Sequence, residues 1–260
     1  MSNNLEHART STPSSYPVRV EGRLEPGLSR GLWLVKWLLL VPHIIVLAFL
    51  WIAFAVLTVI AWFAILITGR YPPGIFRINL GVFRWTWRVS YYGYSALGTD
   101  RYPPFTLADV PDYPARLDIA YPEHLSRGLV LVKTWLLAIP HYLIVTFFIG
   151  GTIIVTMANG ETAPVNIGGL VSLLVLFAGI ALLVRGRYPQ GIFDAVLGMD
   201  RWAIRVAAYA ALMTDAYPPF RLDQGGSEPF PTPRPDGPLA SDSADTAAPT
   251  TQVPPVPVPA

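Results

Sequence analysis

Residues 32–67 read LWLVKWLLLVPHIIVLAFLWIAFAVLTVIAWFAILI, an apolar run in which Lys36 is the single charged residue. A membrane-spanning helix needs about 20 apolar residues, so this run is long enough to cross a bilayer. One straight helix of this length would measure about 54 Å, against a hydrocarbon core of about 30 Å. We therefore expect the run to tilt strongly, to begin as an interfacial helix, or to fold back as a hairpin.

Short motifs on both sides of the run occur twice, which predicts a duplicated membrane module. We place repeat 1 at residues 16–107 and repeat 2 at residues 108–222. The repeated motifs are Leu28–Leu32 with Leu125–Leu129, Gly69–Pro72 with Gly186–Pro189, and Asp100–Phe105 with Asp215–Phe220.

Two polar tails flank the repeats. Residues 1–15 are rich in Ser, Asn and Thr, and residues 223–260 are rich in Pro, Ala, Ser and Thr. Such compositions bury too little apolar surface to offset their ordering entropy, so we expect both tails to be disordered. The Pro-rich tail is either a docking segment for a partner or simply a solvated end.

Composition limits the classes of function. The chain is 52% apolar and 14% charged, with a mean hydropathy of +0.42, whereas soluble domains average about 25% charged residues. The absence of cysteine excludes disulfides, thiolate catalysis and Cys-bound metals. A net charge of +2 is too small to indicate a nucleic-acid partner. No pattern of nucleophile and base stands out, so we expect no catalytic residue, metal or cofactor.

Charge placement suggests the membrane topology. In repeat 2, the apolar runs 129–157 and 167–184 flank a polar turn, which predicts a transmembrane helical hairpin. Arginines precede the first run, lie between the repeats and follow the last run, but the turn at 158–166 has no Lys or Arg. Positive charge stays on the cytoplasmic side, so we expect an even number of crossings and a second hairpin turning near residues 51–55, either fully spanning or re-entrant.

The predicted fold class is therefore an all-α polytopic membrane protein. Two parallel repeats would each contain a transmembrane hairpin and an interfacial Arg/Trp helix, related by a pseudo-twofold axis along the membrane normal. Both termini would be cytoplasmic in a multi-pass plasma-membrane protein. Residues 18–21 and 115–119 alternate in strand period, and residues 105–107 and 220–222 are candidate partner strands. We interpret the stiff Tyr-Pro-Pro-Phe motif as a clamp between each repeat's end and its start.

Four polar residues lie at the starts of the apolar runs and are intramembrane candidates: Lys36, His43, Lys133 and His141. A histidine in an apolar run is a functional candidate. The alternatives are that each histidine sits near the headgroups, bonds a carbonyl freed by the neighbouring proline, or shares a two-histidine site at the repeat seam.

An aromatic–arginine segment follows each hairpin, with arginines spaced i, i+7 and i+11 as on one helix face. Trp and Arg suit the cytoplasmic interface, where Arg meets anionic lipid phosphates. Nucleic-acid binding through interleaved arginines and aromatic residues is the competing interpretation, but positive charge along these segments is sparse. The lipid-headgroup candidates are Arg77, Arg84, Arg88, Arg201, Arg205, Trp85 and Trp202.

The string of motifs, including Phe-Arg-Trp-Thr-Trp-Arg-Val at 83–89 and Thr-Asp-Arg-Tyr-Pro-Pro-Phe at 99–105, resembles the actinobacterial membrane family called domain of unknown function 4389. The resemblance covers both repeats and implies a bacterial plasma-membrane protein. It transfers no catalytic residue, because the family has no assigned activity. Repeat 2 departs from repeat 1 at Asp194, which stands where repeat 1 has Arg77.

Three classes of function follow. The first is a non-enzymatic membrane component that binds anionic lipid, a second copy of itself or a membrane partner in organising the envelope. The second is a transporter or channel subunit, although the apolar runs lack the acid that coupled carriers place at depth. The third, a lipid-modifying enzyme, needs a catalytic constellation that the sequence does not show.

Overall fold

The computed structural model describes residues 16–157 and 160–223. The two predicted disordered tails lie outside the described residues, except for residue 223. Residues 158 and 159 of the predicted external turn also lie outside them.

An antiparallel ribbon joins the two repeats. Strand β1 (Val18–Gly22) pairs with β2 (Ala115–Ile119). The alternating patterns predicted both strands, but not that they pair with each other. Val20 lies opposite Leu117. These two residues are 97 positions apart, like the motif copies at 28 and 125. An antiparallel pair is related by a twofold axis, so the ribbon places a pseudo-twofold axis at the pairing of equivalent residues.

Repeat 1 continues with two helices, α1 (Lys36–Thr68) and α2 (Pro73–Tyr92). The hairpin predicted near residues 51–55 is wrong, because α1 runs through this segment without a break. Its sequence, Trp-Ile-Ala-Phe-Ala, contains no glycine, proline or turn-forming residue that would end a helix. The positive charges at both ends were therefore a poor guide to the path of the chain.

Helix α1 packs along α2 through one narrow stripe. The buried residues of α1 recur at helical spacing from Lys36 through Leu47 and Phe54 to Ile65. Outside this stripe the helix exposes large apolar side chains, such as Phe49 at 70% and Ile52 at 64%. A helix that is apolar all round and buried on one stripe needs lipid or a partner over its remaining surface.

Repeat 2 replaces the single long helix with several short elements. Helix α3 (Arg127–Val132) leads through a π-helical turn (Lys133–Leu137) into α4 (Ile139–Ile149). Strands β3 (Gly150–Thr156) and β4 (Thr162–Gly168) then form a hairpin, followed by α5 (Leu170–Arg185) and α6 (Gln190–Ala210). The predicted transmembrane hairpin of repeat 2 is therefore also wrong.

The sequence at the end of α4 explains this difference. Gly150 has φ of +91°, and a Cβ there would lie 2.2 Å from the carbonyl oxygen of Ile167. Only glycine fits such a backbone and such a close approach. The run after Gly151 is rich in Thr, Ile and Val, which favour strands over helices.

Within the described residues, α1 is the one helix that is clearly long and apolar enough to cross a membrane. The segments Arg127–Leu137 and Ile139–Ile149, bent by 46°, would be a second if they count as one span. The predicted all-α polytopic fold is thus wrong, because the described residues include the β1–β2 ribbon and the β3–β4 hairpin and only one clear membrane span. A multi-pass location is not supported. The candidate strands at 105–107 and 220–222 are not strands.

Candidate functional site

The first polar site is built around Lys36, which is buried at the N-terminus of α1. Its Nζ atom donates to the carbonyl oxygen of Thr99 at 2.6 Å and lies 3.1 Å from Oδ1 of Asp100. Oδ2 of Asp100 accepts the backbone N–H of Ser29 at 2.5 Å. The buried ammonium thus has the partners that its burial requires, and Asp100 ties the start of repeat 1 to its end.

Repeat 2 forms the same site around Lys133, which is also buried. Its Nζ atom donates to the carbonyl oxygen of Thr214 at 3.0 Å and to Oδ1 of Asp215 at 2.8 Å. Oδ2 of Asp215 accepts the backbone N–H of Ser126 at 2.6 Å. In both repeats the end is thus tied to the start, through the aspartate that lies two residues before the Tyr-Pro-Pro-Phe motif.

Both predicted histidines lie in aromatic cages. Nδ1 of His43 accepts the indole N–H of Trp85 at 3.1 Å, and its ring stacks on Phe105 with the ring centroids 4.0 Å apart. Repeat 2 builds the same cage, with distances of 3.2 Å and 4.3 Å, from His141, Trp202 and Phe220.

The tryptophan bond in each cage fixes which ring nitrogen of the histidine carries the proton. An Nδ1 atom that accepts a hydrogen bond is unprotonated, so the neutral ring carries its proton on Nε2. Nε2 of His43 and of His141 has no hydrogen-bond partner among residues 16–157 and 160–223. A bond to a tryptophan takes the place of the predicted bond to a freed carbonyl, and each histidine is held by the aromatic residues of its own repeat.

The arginines of α2 and α6 bind the ribbon. Nε of Arg84 donates to the carbonyl oxygen of Leu117 at 3.0 Å, and Nε of Arg201 donates to that of Val20 at 2.8 Å. Arg84 belongs to repeat 1 but binds β2, whereas Arg201 belongs to repeat 2 but binds β1. The repeats therefore exchange strands, and each of these two arginines binds a strand of the other repeat.

Arg88 and Arg205 also point into the protein. Arg88 donates to the carbonyl oxygens of Ala108, at 3.0 Å, and Thr106, and Arg205 lies 2.5 Å from Oδ2 of Asp223.

Burial corrects the predicted headgroup contacts. The residues that are at least nine-tenths buried, and so closed to a lipid phosphate, are Arg88, Arg201, Arg205, Trp85 and Trp202. Arg84 is half-buried and pairs with Asp118 at 2.7 Å. Arg77 is exposed and remains a headgroup candidate. Its counterpart Asp194 accepts the side-chain N–H of Gln190 at 2.9 Å, a local contact one helical turn away.

A cavity of about 370 Å³ lies at the seam between the repeats. This volume is within the usual range of ligand sites, roughly 300–1,000 Å³. Helices α1, α2, α4, α5 and α6 all contribute to its walls, which are mainly apolar. Its apolar lining includes Trp51, Phe83 and Trp87 of repeat 1 and Ile149, Val171 and Ala203 of repeat 2.

Asp200 is the one ionisable carboxyl group among the residues that line this seam cavity. It is 4% exposed, and its Oδ2 atom accepts the hydroxyl of Ser95 at 2.7 Å. No lysine or arginine pairs with it in the described parts of the chain. Burial raises the pKa of Asp200 to about 7, and the Ser95 hydrogen bond offsets part of this rise.

Sequence reasoning missed Asp200 because it considered acids only inside the apolar runs. A signal was present, since the spacing of 117 residues that relates Arg84 to Arg201 also relates Phe83 to Asp200. Both residues line the seam cavity. A carboxyl group therefore stands where the other repeat has a phenyl ring.

A comparison with protein families matches residues 30–106 and 166–221 to the family described as Domain of unknown function (DUF4389). The matched segments make up just over half of the sequence. The chain belongs to this family. Searches of the curated proteins and of the solved structures give no match. The two family segments contain the His43 cage and Lys36 with its partners Thr99 and Asp100 of repeat 1, together with α5, α6 and the Tyr-Pro-Pro-Phe motif of repeat 2.

Proposed function

We propose that this protein of the DUF4389 family is a non-enzymatic membrane component that is held in the plasma membrane by α1 and binds lipid there. The observation that carries the proposal is the exposed apolar surface of α1. Only 17% of its most apolar window is buried in the protein, and a contiguous surface of this kind marks a membrane or partner contact.

Apolar elements of repeat 2 extend this surface. Trp51 of α1, Ile149 of α4 and Val171 of α5 all line the seam cavity. Leu143 and Phe147 of α4 are 72% and 66% exposed. Lipid is the occupant that we favour, because the exposed faces of α1 and α4 carry no charge that would orient a protein partner.

Alkaline carbonate extraction and vesicle flotation test this proposal. The full-length protein should stay in the carbonate pellet and float with vesicles. The double variant Phe49→Lys with Ile52→Lys should lose much of this retention, because each lysine at the centre of a membrane helix costs about 3 kcal/mol. Leu222→Lys is the matched control, since Leu222 is an exposed apolar residue outside the apolar helices and should leave retention unchanged.

Two results would contradict the proposal. Release of the parent protein by carbonate would mean that α1 is covered by a protein partner. Equal retention of the double variant and the parent would mean that the outer face of α1 does not meet lipid.

A further inference from the structure

Each repeat has one lysine site and one histidine cage, but only repeat 2 has a buried carboxyl group at the position of Asp200. Its position in repeat 1 is occupied by Phe83, and the position of its partner Ser95 corresponds to Ala210, two residues before the equivalent left-handed residues Leu97 and Leu212. A buried carboxyl group that only one repeat carries cannot be explained by the symmetric contacts that hold the fold together.

The polar side chains among the residues that line the seam cavity come from both repeats. Repeat 1 supplies Thr86, Ser90, Tyr94 and Ser95, and repeat 2 supplies Ser172 and Asp200. The buried hydroxyl oxygen of Thr86 has no hydrogen-bond partner in the described part of the chain. A mainly apolar cavity lined by some polar side chains and one perturbed carboxyl has the composition of a small-molecule site.

The residues that line the cavity indicate which polar head group a ligand would carry. Because no lysine or arginine lines the cavity, a phosphate or carboxylate head would meet the Asp200 carboxyl without a balancing cation. A head that donates hydrogen bonds suits a carboxylate and an orphan hydroxyl. Trp51, Phe83 and Trp87 suit an apolar chain, and a cavity of about 370 Å³ accommodates one chain more readily than two.

We propose that the seam cavity binds one single-chain amphiphile, with its apolar chain against Trp51 and Trp87 and a hydroxyl or primary ammonium head on Asp200. This proposal rests on the proposed function, because the membrane is the source of such a ligand. Both a hydroxyl and an ammonium head donate hydrogen bonds, and the pH dependence of binding distinguishes the two.

An ammonium head gains from ionisation of Asp200, whose pKa burial raises to about 7. Its affinity should therefore rise between about pH 5 and pH 8, whereas that of a hydroxyl head should change little. The other titratable groups near the carboxyl are Tyr188, which lies close enough for the two charges to interact, and Tyr94, which lines the cavity. Burial raises the pKa of Tyr188 far above this window, so Asp200 governs the change.

The experiment uses the full-length protein in lipid nanodiscs and follows tryptophan fluorescence. Trp51 and Trp87 line the cavity, so a terminally brominated undecylamine or undecanol should quench them in a saturable way at one equivalent. Asp200→Asn should weaken amine binding at about pH 8 by about tenfold or more, the effect expected for a hydrogen bond to a charged group.

Two further variants complete the design. Ala203→Phe fills the cavity and should abolish saturable quenching by both compounds while Asp200 remains. Asp194→Asn is the matched control, because it makes the same chemical change on the same helix at a carboxyl that contacts Gln190 outside the cavity. It should bind both compounds like the parent protein.

Several results would overturn the proposal. Quenching that never saturates, or that Ala203→Phe leaves unchanged, would mean that the probes only partition into lipid. Equal binding of a brominated trimethylammonium probe, which has no N–H donor, would refute the donor head. Flotation is scored in parallel: loss of saturable quenching with normal flotation refutes only the cavity ligand, whereas failure of the parent to float refutes the proposed function.

Discussion

The two repeats treat their apolar runs in different ways. Repeat 1 makes one helix of 33 residues, Lys36–Thr68, whereas repeat 2 makes a bent helix, a β-hairpin and a helix of 16 residues. The polar motifs around these runs nevertheless form matching contacts, and the Trp–His bonds are 3.1 and 3.2 Å long. Directional contacts fix the frame of each repeat, while the outward apolar segments vary in structure.

The largest expected effect concerns Asp200, the main polar difference at the seam. Burial raises its pKa from the ordinary 3.8 to about 7. The folded protein therefore keeps a proton that the unfolded chain releases between about pH 4 and pH 7, so the stability contribution falls as pH rises through this window. The full loss above about pH 7 is on the order of 4 kcal/mol.

Unfolding of the parent and of Asp200→Asn at about pH 5 and pH 8 measures this effect. The variant should be more stable than the parent at the higher pH and should lose less stability between the two values. Asp194→Asn should keep the pH dependence of the parent. A parent and an Asp200→Asn variant with the same pH dependence would show that Asp200 is already ionised at pH 5.

The second prediction tests the similarity of the repeats through their lysines. Lys36→Met and Lys133→Met should each destabilise the protein by about 3 kcal/mol, because each leaves a carboxylate and a carbonyl oxygen without the ammonium that they share. Thermal unfolding of both variants at equal pH measures the two costs. Arg70→Met is the control, since Arg70 is exposed.

A clear inequality between the two lysine variants would break the comparison. If only Lys36→Met destabilised the protein, the Lys133 site would be a geometric copy without an equal energetic role. Adding Asp100→Asn to Lys36→Met should recover part of the loss, because the unpaired carboxylate is then removed.

Sequence reasoning succeeded where residues make directional contacts. It predicted the strands of the ribbon from their alternation, and the clamp from the Tyr-Pro-Pro-Phe motif, because prolines and paired strands restrict the backbone directly. It failed for the apolar runs, since periodicity cannot separate one long helix from two short ones when every residue is apolar. It also placed Arg88 and Arg205 at the lipid surface, because spacing shows which side chains share a face and not what covers that face.

Asp200 illustrates a further reason for failure. Its hydrogen-bond partner, Ser95, is 105 residues away in the other repeat. Nothing local marks the residue, since it lies between Met199 and Arg201 on a helix that is buried over most of its length. Alignment of the two repeats shows that an acid stands opposite Phe83, and the tertiary structure shows that this acid is buried.

The smallest expected effect on stability is at Arg77 and Asp194, equivalent positions that carry opposite charges in the two repeats. Opposite charges at equivalent positions would attract across the seam if both lay near the pseudo-twofold axis. The structure favours a local role, because Asp194 accepts a hydrogen bond from Gln190 and Arg77 is exposed near the start of α2. Exposed ion pairs also contribute little, about 0–1 kcal/mol.

We therefore expect Arg77→Asp and Asp194→Arg to have additive effects. Each single variant should change the free energy of unfolding by no more than about 0.5 kcal/mol, as surface substitutions usually do, and the coupling energy of the double-mutant cycle should stay below about 0.5 kcal/mol. Gln190→Ala should weaken the local contact of Asp194 without affecting Arg77. A coupling energy above about 1 kcal/mol would instead place both side chains at the seam, and the asymmetry between the repeats would then extend from the seam cavity to the ends of α2 and α6.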